Sequence, residues 1–349
     1  MTASFAASLD RLGRSLGVLR LSLTARCNLA CTYCCPTNAE SDAPLTLAAQ
    51  LAVIRAACEL GIRSLRLTGG EPLLSDRLEP LLQAVASGRN DPGDPMSSLE
   101  DVALTSNGML LSQRRARQLR RLGLDRITIS LDGVHAGRVG QMSGRPEAGA
   151  QVFDQVLSGL TSARAAGFDP VRGELKLNSV IQRNVNEDQI VPLAALAREL
   201  GVELRLIEYM DVGQSNGWDL NQVVPADEMV RLLQDHWPLE PLTRSAGSTA
   251  RRWRYRDQGG VVGVIASISQ PFCGDCNRLR VTADGMAYTC LFASRGTDLR
   301  SWLLPVVDDH GLMGAMHAIW RQRSDRYSEE RGQSSAVDRS RPEMAYLGG

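Results

Sequence analysis

The sequence predicts an α/β fold, an incomplete (β/α)6 barrel with a smaller C-terminal domain, and three observations predict it. Short β-rich runs alternate with amphipathic helical patterns six times between residues 17 and 211. Gly61, Gly123, Gly167 and Gly201 each close a helical pattern just before the next strand, where a left-handed residue ends a helix without a Cβ clash. From Pro238 the rhythm is lost. Alternation of this kind implies parallel strands joined by right-handed crossovers, with ligands gathered beyond the carboxyl ends of the strands.

The strands are expected at residues 18–23, 64–68, 102–106, 126–131, 174–182 and 203–209. Helical spacing marks the segments LTLAAQLAVIRAACEL, LSQRRARQLRRL, GAQVFDQVLSGLTSARAA and IVPLAALAREL. Residues 88–98 (GRNDPGDPMSS) read as a surface excursion, and a further helix is expected near 226–236. Beyond the break, RRWRYRDQGGVVGVIAS reads as a hairpin turning at Gln258-Gly259-Gly260, followed by helices around 298–304 and 311–323. The expected division is therefore an N-terminal extension (1–16), a barrel (17–237), a C-terminal domain (238–323) and a flexible tail (324–349) ending in Gly-Gly.

Composition narrows the function. The 349 residues are 43% hydrophobic and 22% charged, as in a folded soluble protein. Lys+Arg and Asp+Glu both total 39, so no net field draws the chain onto nucleic acid or an anionic membrane. The first twenty residues lack a signal-peptide pattern and no run has the length of a membrane span, which makes the cytoplasm the expected location. Lysine occurs once, at Lys176, among 39 basic residues. In that setting a strand lysine points to a site that needs a compact ammonium, against a surface position as the bland alternative.

Eight cysteines in such a chain read poorly as disulfides. Cys27, Cys31 and Cys34 fall within eight residues on the loop after the first expected strand. Three thiolates can hold three irons of a cubane cluster and leave the fourth iron open, whereas a closed zinc site needs a fourth ligand. Cys273, Cys276 and Cys290 repeat that logic, and between the last two lies Asn277-Arg278-Leu279-Arg280. If this run is a strand, Arg278 and Arg280 share one side, where two guanidinium forks suit phosphate oxygens, against a solvated face as the bland alternative. Cys35 reads as a bystander and Cys58 as a buried small hydrophobe.

The pattern CxxxCxYC, with Gly69-Gly70-Glu71-Pro72 after the second strand, resembles the radical S-adenosylmethionine (SAM) enzymes. In the GGEP run the glycines would let carbonyls approach a ligand ammonium while the acid adds charge. With the second triad in FCGDCNRLR, and with LTSNG, ISLD and LRLIEYMDVG, the chain resembles the GTP 3′,8-cyclase family of molybdenum-cofactor biosynthesis over residues 17–304 and again at Gly348-Gly349. The resemblance implies a partial radical-SAM barrel with two [4Fe–4S] clusters, one held by Cys27, Cys31 and Cys34, the other by Cys273, Cys276 and Cys290. It implies SAM at the first cluster and the guanine of GTP at the second. A 5′-deoxyadenosyl radical would take the ribose 3′ hydrogen, and the 3′ carbon would bond to C8.

Residue by residue, the resemblance places Tyr33, Gly70, Ser130 and Met210 around SAM, Met210 having an ordinary core reading as its alternative. It places Arg20, Arg66, Thr105, Lys176, Arg205, Arg278, Leu279 and Arg280 on the GTP side, and gives Arg20, Arg66, Lys176, Gly348 and Gly349 roles in the reaction. The terminal glycines would thread into the barrel, so their removal would impair cyclisation more than SAM cleavage. Implied partners are a reductant such as a flavodoxin or ferredoxin and a downstream cyclic pyranopterin monophosphate synthase, with a homodimer among the expected assemblies and no nucleic acid or membrane. Three positions depart from the family pattern: Ala25 where an acid is common, Cys35 where a hydrophobe is common, and Ser64 where a basic residue often approaches phosphate. The alternatives are a paralogous radical SAM enzyme acting on another nucleotide or a peptide, and a zinc-stabilised nucleic-acid-binding protein, against which the neutral charge speaks.

Overall fold

A computed structural model describes residues 8–34, 44–331 and 341–348. Twelve strands form one sheet. The first six are β1 (Val18–Ser22), β2 (Ser64–Thr68), β3 (Asp101–Ser106), β4 (Arg126–Ser130), β5 (Leu175–Ile181) and β6 (Glu203–Glu208). They are followed by β7 (Leu239–Leu242), β8 (Arg251–Tyr255), β9 (Val261–Ile265), β10 (Arg278–Val281), β11 (Met286–Tyr288) and β12 (Thr297–Asp298). The helices are α1 (Leu47–Glu59), α2 (Leu78–Arg89), α3 (Gln113–Arg121), α4 (Ala136–Met142), α5 (Gly149–Ala165), α6 (Ile190–Glu199), α7 (Ala226–Gln234), α8 (Arg300–Leu303), α9 (Asp309–Gln322), α10 (Tyr327–Glu330) and α11 (Met344–Leu347).

The strand order is β12-β11-β10-β1-β2-β3-β4-β5-β6-β9-β8-β7. β1 to β6 run parallel in chain order, as the alternation predicts. The segment beyond Pro238 supplies both outer neighbours of this wall: β9 pairs parallel with β6, and β10 pairs parallel with β1. An open six-stranded sheet leaves two rows of unpaired N–H and C=O groups, and these strands cover both. The hairpin expected at 258–260 is β8 to β9, with Gln258 at φ 64° and Gly260 at φ 99°.

Alternation along each strand separates two environments. Leu19, Leu21, Leu65, Leu67, Val102, Leu104, Ile127, Ile129, Leu175, Leu177, Leu204 and Leu206 are buried in the core with the helices. The intervening positions carry polar and charged side chains. The sheet is strongly curved: Arg66 on β2 and Arg205 on β6 sense each other's charge although three strands lie between them. Helix starts follow from local chemistry, since Thr46 accepts from the Ala49 N–H and Ser112 from the Arg115 N–H. All four glycines read as helix terminators have positive φ.

Two expectations are corrected here. Residues 88–98 are no simple surface excursion: Met96 is fully buried, and a Cβ on Gly88 would meet its Cε at 2.2 Å. Asp94 accepts from the Met96 N–H and pairs with Arg55 of α1, so one apolar side chain and one acid draw a polar stretch inward. The tail expected to be flexible contains α10 and α11, and Met344, Ala345 and Leu347 are buried. Cys35 and Gly349 lie outside the described residues.

Helix α5 passes so close to the turn after β3 that a Cβ on Gly159 would sit 2.3 Å from the Gly108 carbonyl oxygen. Gly159→Ala is therefore expected to lower stability by about 1–3 kcal/mol, read as a lower urea midpoint with an unchanged slope.

Candidate active site

Strand register lines up the inward-facing residues in rows. Arg280, Arg20 and Arg66 are direct neighbours across β10, β1 and β2. Thr105, Thr128, Lys176 and Glu203 form a second row across β3 to β6, and Ser130, Asn178, Arg205 and Gly263 a third across β4, β5, β6 and β9. Arg278 and Arg280 lie on the same side of β10, as alternation predicts. Leu279 does not join them: its side chain is fully buried in the helix-facing core, because it is the odd residue of the alternation, which corrects its expected place on the substrate side.

The rows make a wall rich in cations. Burial, then repulsion from Arg280, Arg66 and Arg278, holds the Arg20 guanidinium well below its usual range. Burial with Arg126 and Arg205 nearby brings Arg66 down to about 9, and burial with Arg278 brings Arg280 to about 10. Lys176 is lowered to about 8, by burial first and Arg205 second, with Glu203 opposing. At 9% exposure it is no surface accident. Its Nζ lies 3.5 Å from Glu203, whose carboxylate also takes Arg205 Nε at 2.8 Å and Arg252 Nη2 at 2.9 Å. Ser64 donates to Asp101 at 2.7 Å, and Asp101 grips Arg126, which couples to both Arg66 and Lys176. A wall of this kind suits a polyanion.

Cys27, Cys31 and Cys34 sit on the loop after β1, partly exposed. Burial, then Asp132, Cys34 and Cys27, pushes the Cys31 thiol up, so these groups share one electrostatic neighbourhood. The loop docks on α4: the Ala30 N–H donates to Ser143 O at 3.0 Å and the Thr32 N–H to Met142 O at 3.2 Å. Across the loop, the Gly70 N–H donates to Thr24 O and the Glu71 N–H to Arg26 O, each at 2.8 Å. A Cβ on Gly70 would lie 2.3 Å from the Arg26 oxygen. These glycines thus serve close approach of the cysteine loop itself.

The Glu71 carboxylate is fully buried and accepts from Leu73 N–H, Ser106 Oγ and Asn107 N–H at 3.0, 2.8 and 2.7 Å. It is committed to the protein rather than offered as charge to a ligand, which corrects the expectation for GGEP. Tyr33 Oη donates to Asp132 at 2.9 Å, and burial raises that carboxyl to about 6.

In the second triad Cys276 N–H donates to Cys273 O, and the Phe292 N–H points to Cys290 Sγ at 3.5 Å. Burial would raise the Cys276 thiol, but Arg278 and Arg323 outweigh it and bring it to about 7. Among the described residues no three His, Cys, Asp or Glu side chains converge as a single bound ion would require. The donor chemistry of each triad, three soft thiolates on loops with a backbone N–H on sulfur, fits an iron–sulfur cluster one protein ligand short.

One small apolar cluster joins the two halves. Tyr33 and Cys34 from the first loop, Met210 after β6, and Cys290 from the second loop pack against Val212, Phe292, Met344 and Leu347. The tail is tied there: Arg280 Nη1 donates to the Gly348 oxygen at 3.1 Å, and a Cβ on Gly348 would meet Thr68 Cγ2 at 2.6 Å. Glu343 holds the tail to the loop after β6 by accepting from Ser215 Oγ at 2.8 Å. Asp132, Glu203, Arg126, Asp101 and Glu343 were not singled out in the sequence; Asp132 stands in ISLD, and Glu203 alternates with Arg205, which were the available signals.

A curved wall of parallel strands with a three-cysteine loop after the first of them defines a radical SAM protein. The Radical SAM superfamily matches residues 21–197 and Molybdenum Cofactor Synthesis C matches residues 202–329. The chain is 61% identical over 343 residues to a GTP 3′,8-cyclase of Synechococcus sp. (strain CC9605), covering 97% of this chain and 98% of that protein. It is 42% identical to the GTP 3′,8-cyclase of Acidothermus cellulolyticus, covering 97% and 98% respectively. Among solved structures, SuiB of Streptococcus suis bound to its precursor peptide SuiA has a TM-score of 0.63 at 13% identity, covering 98% of this chain and 72% of that one, a likeness of fold. The chain belongs to the GTP 3′,8-cyclase family.

Gly70→Ala is expected to push the 24–26 backbone away and to strip iron from the first triad while the second retains its share. Iron and sulfide analysis after anaerobic reconstitution checks this, and full iron retention would contradict it.

Proposed function

We propose that this chain converts GTP to 3′,8-cyclo-7,8-dihydro-GTP, with its two cysteine triads serving one site. The observation that carries the reading is the shared apolar cluster, which sets Cys34 and Cys290 together at one end of a cation-lined barrel. Cys27, Cys31 and Cys34 would hold the cluster that binds SAM, and Cys273, Cys276 and Cys290 the cluster that receives the guanine. When bound, the first cluster and SAM supply a 5′-deoxyadenosyl radical.

The protein's own part is binding, orientation and exclusion of water. Arg20, Arg66, Arg278 and Arg280 present forks to the triphosphate, with Lys176 and Arg205 on the opposite strands and Thr105 between. Their mutual repulsion is relieved when a polyanion enters, so substrate charge completes the electrostatics of the wall. Tyr33, Gly70, Ser130 and Met210 fit the SAM side: Gly70 sets the cysteine loop, and Asp132 orients Tyr33. Gly348 and Gly349 belong to the reaction as the end of a tail without side chains, Gly348 lying against Ser22 and Thr68 at the ends of β1 and β2. A one-electron reductant protein of the flavodoxin or ferredoxin type and a downstream synthase consuming the cyclic product complete the reading. Among the described residues no helix is long and apolar enough to cross a membrane.

The deciding experiment reconstitutes the protein anaerobically and supplies SAM, dithionite and GTP, ATP, CTP or UTP in separate reactions. The expected result is 5′-deoxyadenosine with a cyclised product from GTP alone. Turnover of another nucleotide, or no GTP product despite SAM cleavage, overturns it.

Lys176 gives the pH dependence its sign. An anion favours the charged ammonium, so bound GTP raises a group that otherwise titrates at about 8. GTP affinity should be flat below that pH and fall as pH rises through it, measured by equilibrium binding. Lys176→Arg should weaken GTP binding, remove this step and leave both clusters intact; an unchanged affinity removes the assignment.

A further inference from the structure

Residues 8–16 precede the barrel, yet they reach the second cysteine loop. Leu9 bridges to Ser15, and the turn between them buries Asp10 and Arg14, with side chains 0% and 3% exposed. Arg14 Nε donates to Asp10 Oδ2 at 2.6 Å, while its Nη1 donates to the Cys273 carbonyl at 2.7 Å and the Asp325 carbonyl at 2.9 Å. Arg323, just past α9 and also buried, donates from Nη1 to the Cys276 carbonyl at 2.5 Å and lies 3.5 Å from the same Asp10 oxygen. Trp320 locks the pair: its Nε1 donates to Arg14 O at 3.0 Å, and the Arg323 guanidinium stacks 4.7 Å from its ring centre.

One buried carboxylate therefore fixes two guanidinium groups, and each guanidinium holds the carbonyl of one cysteine in the C-terminal triad. A buried ion triad carries a desolvation cost and is weak evidence for stability alone. Its place is better explained by what it touches, since hydrogen bonds and charge beside a thiolate-bound cluster tune its potential and its retention. We propose that Asp10, Arg14 and Arg323 are positioning residues for the C-terminal triad: they set the Cys273–Cys276 turn and keep positive charge against the group it carries, raising its reduction potential and slowing its loss. This rests on the reading of Cys273, Cys276 and Cys290 as cluster ligands.

The test uses the reconstituted full-length protein, wild type, Arg323→Gln, Arg323→Lys and Arg14→Gln. Iron and sulfide content of the wild type comes first; a chain with a single cluster sinks the reading of the second triad, separately from the role of the arginines. The readouts are then a potentiometric titration followed by electron paramagnetic resonance and the rate at which a chelator strips iron from the second cluster. Arg323→Gln and Arg14→Gln should move that cluster's midpoint to more negative potential and speed iron loss about tenfold or more, leaving the first cluster unchanged. Arg323→Lys, which keeps charge but not the planar fork, should hold the potential near wild type while still losing iron faster. Unchanged potential and iron loss in both Gln variants overturn the proposal, as does a lower melting temperature as the sole effect. Should Arg323→Gln fail to fold, the Arg14→Gln and Arg323→Lys results decide it by the same readings.

Discussion

Repulsion among buried cations is the constraint on which the rest of this molecule depends. Arg20, Arg66, Arg278 and Arg280 converge on the inner face of neighbouring strands with Lys176 and Arg205 across from them, where water cannot screen them fully. Such a wall persists because the strands that carry it are held from outside by an uninterrupted apolar layer. Glu203 and Asp101 compensate part of the charge.

Much of this was legible in the sequence, and the reasons are local. Three cysteines inside eight residues, or two flanking Gly-Asp, keep their meaning whatever the tertiary fold, and strand alternation alone put Arg278 and Arg280 on one side. The same alternation argued against Leu279, whose family-based assignment the structure does not support for its side chain. The glycines of GGEP were legible as positions of close approach, but what approaches is the backbone of residues 24–26, and Glu71 is bonded to Ser106 and Asn107. Spacing signals that a small residue is required without naming the neighbour that requires it.

What stayed hidden is what the chain closes over long distances. Asp10 and Arg323 meet from opposite ends of the sequence, and no periodicity couples them. Likewise, Glu343 is an ordinary acid until the loop after β6 wraps one of its oxygens. The departure at Ser64 also changes meaning in three dimensions: its hydroxyl supports Asp101, which anchors Arg126 near Arg66 and Lys176, so positive charge is supplied from β4.

The placement of β9 and β10 bears on biogenesis. β1 leaves the ribosome early, yet the partner for its free edge, β10, is translated only after the whole parallel wall. During that interval two sticky borders stand open, a state prone to mispairing with other nascent chains. Production of this protein should therefore lean on holding chaperones and on slow synthesis, and the second cysteine loop is complete only after the final third of the chain is released.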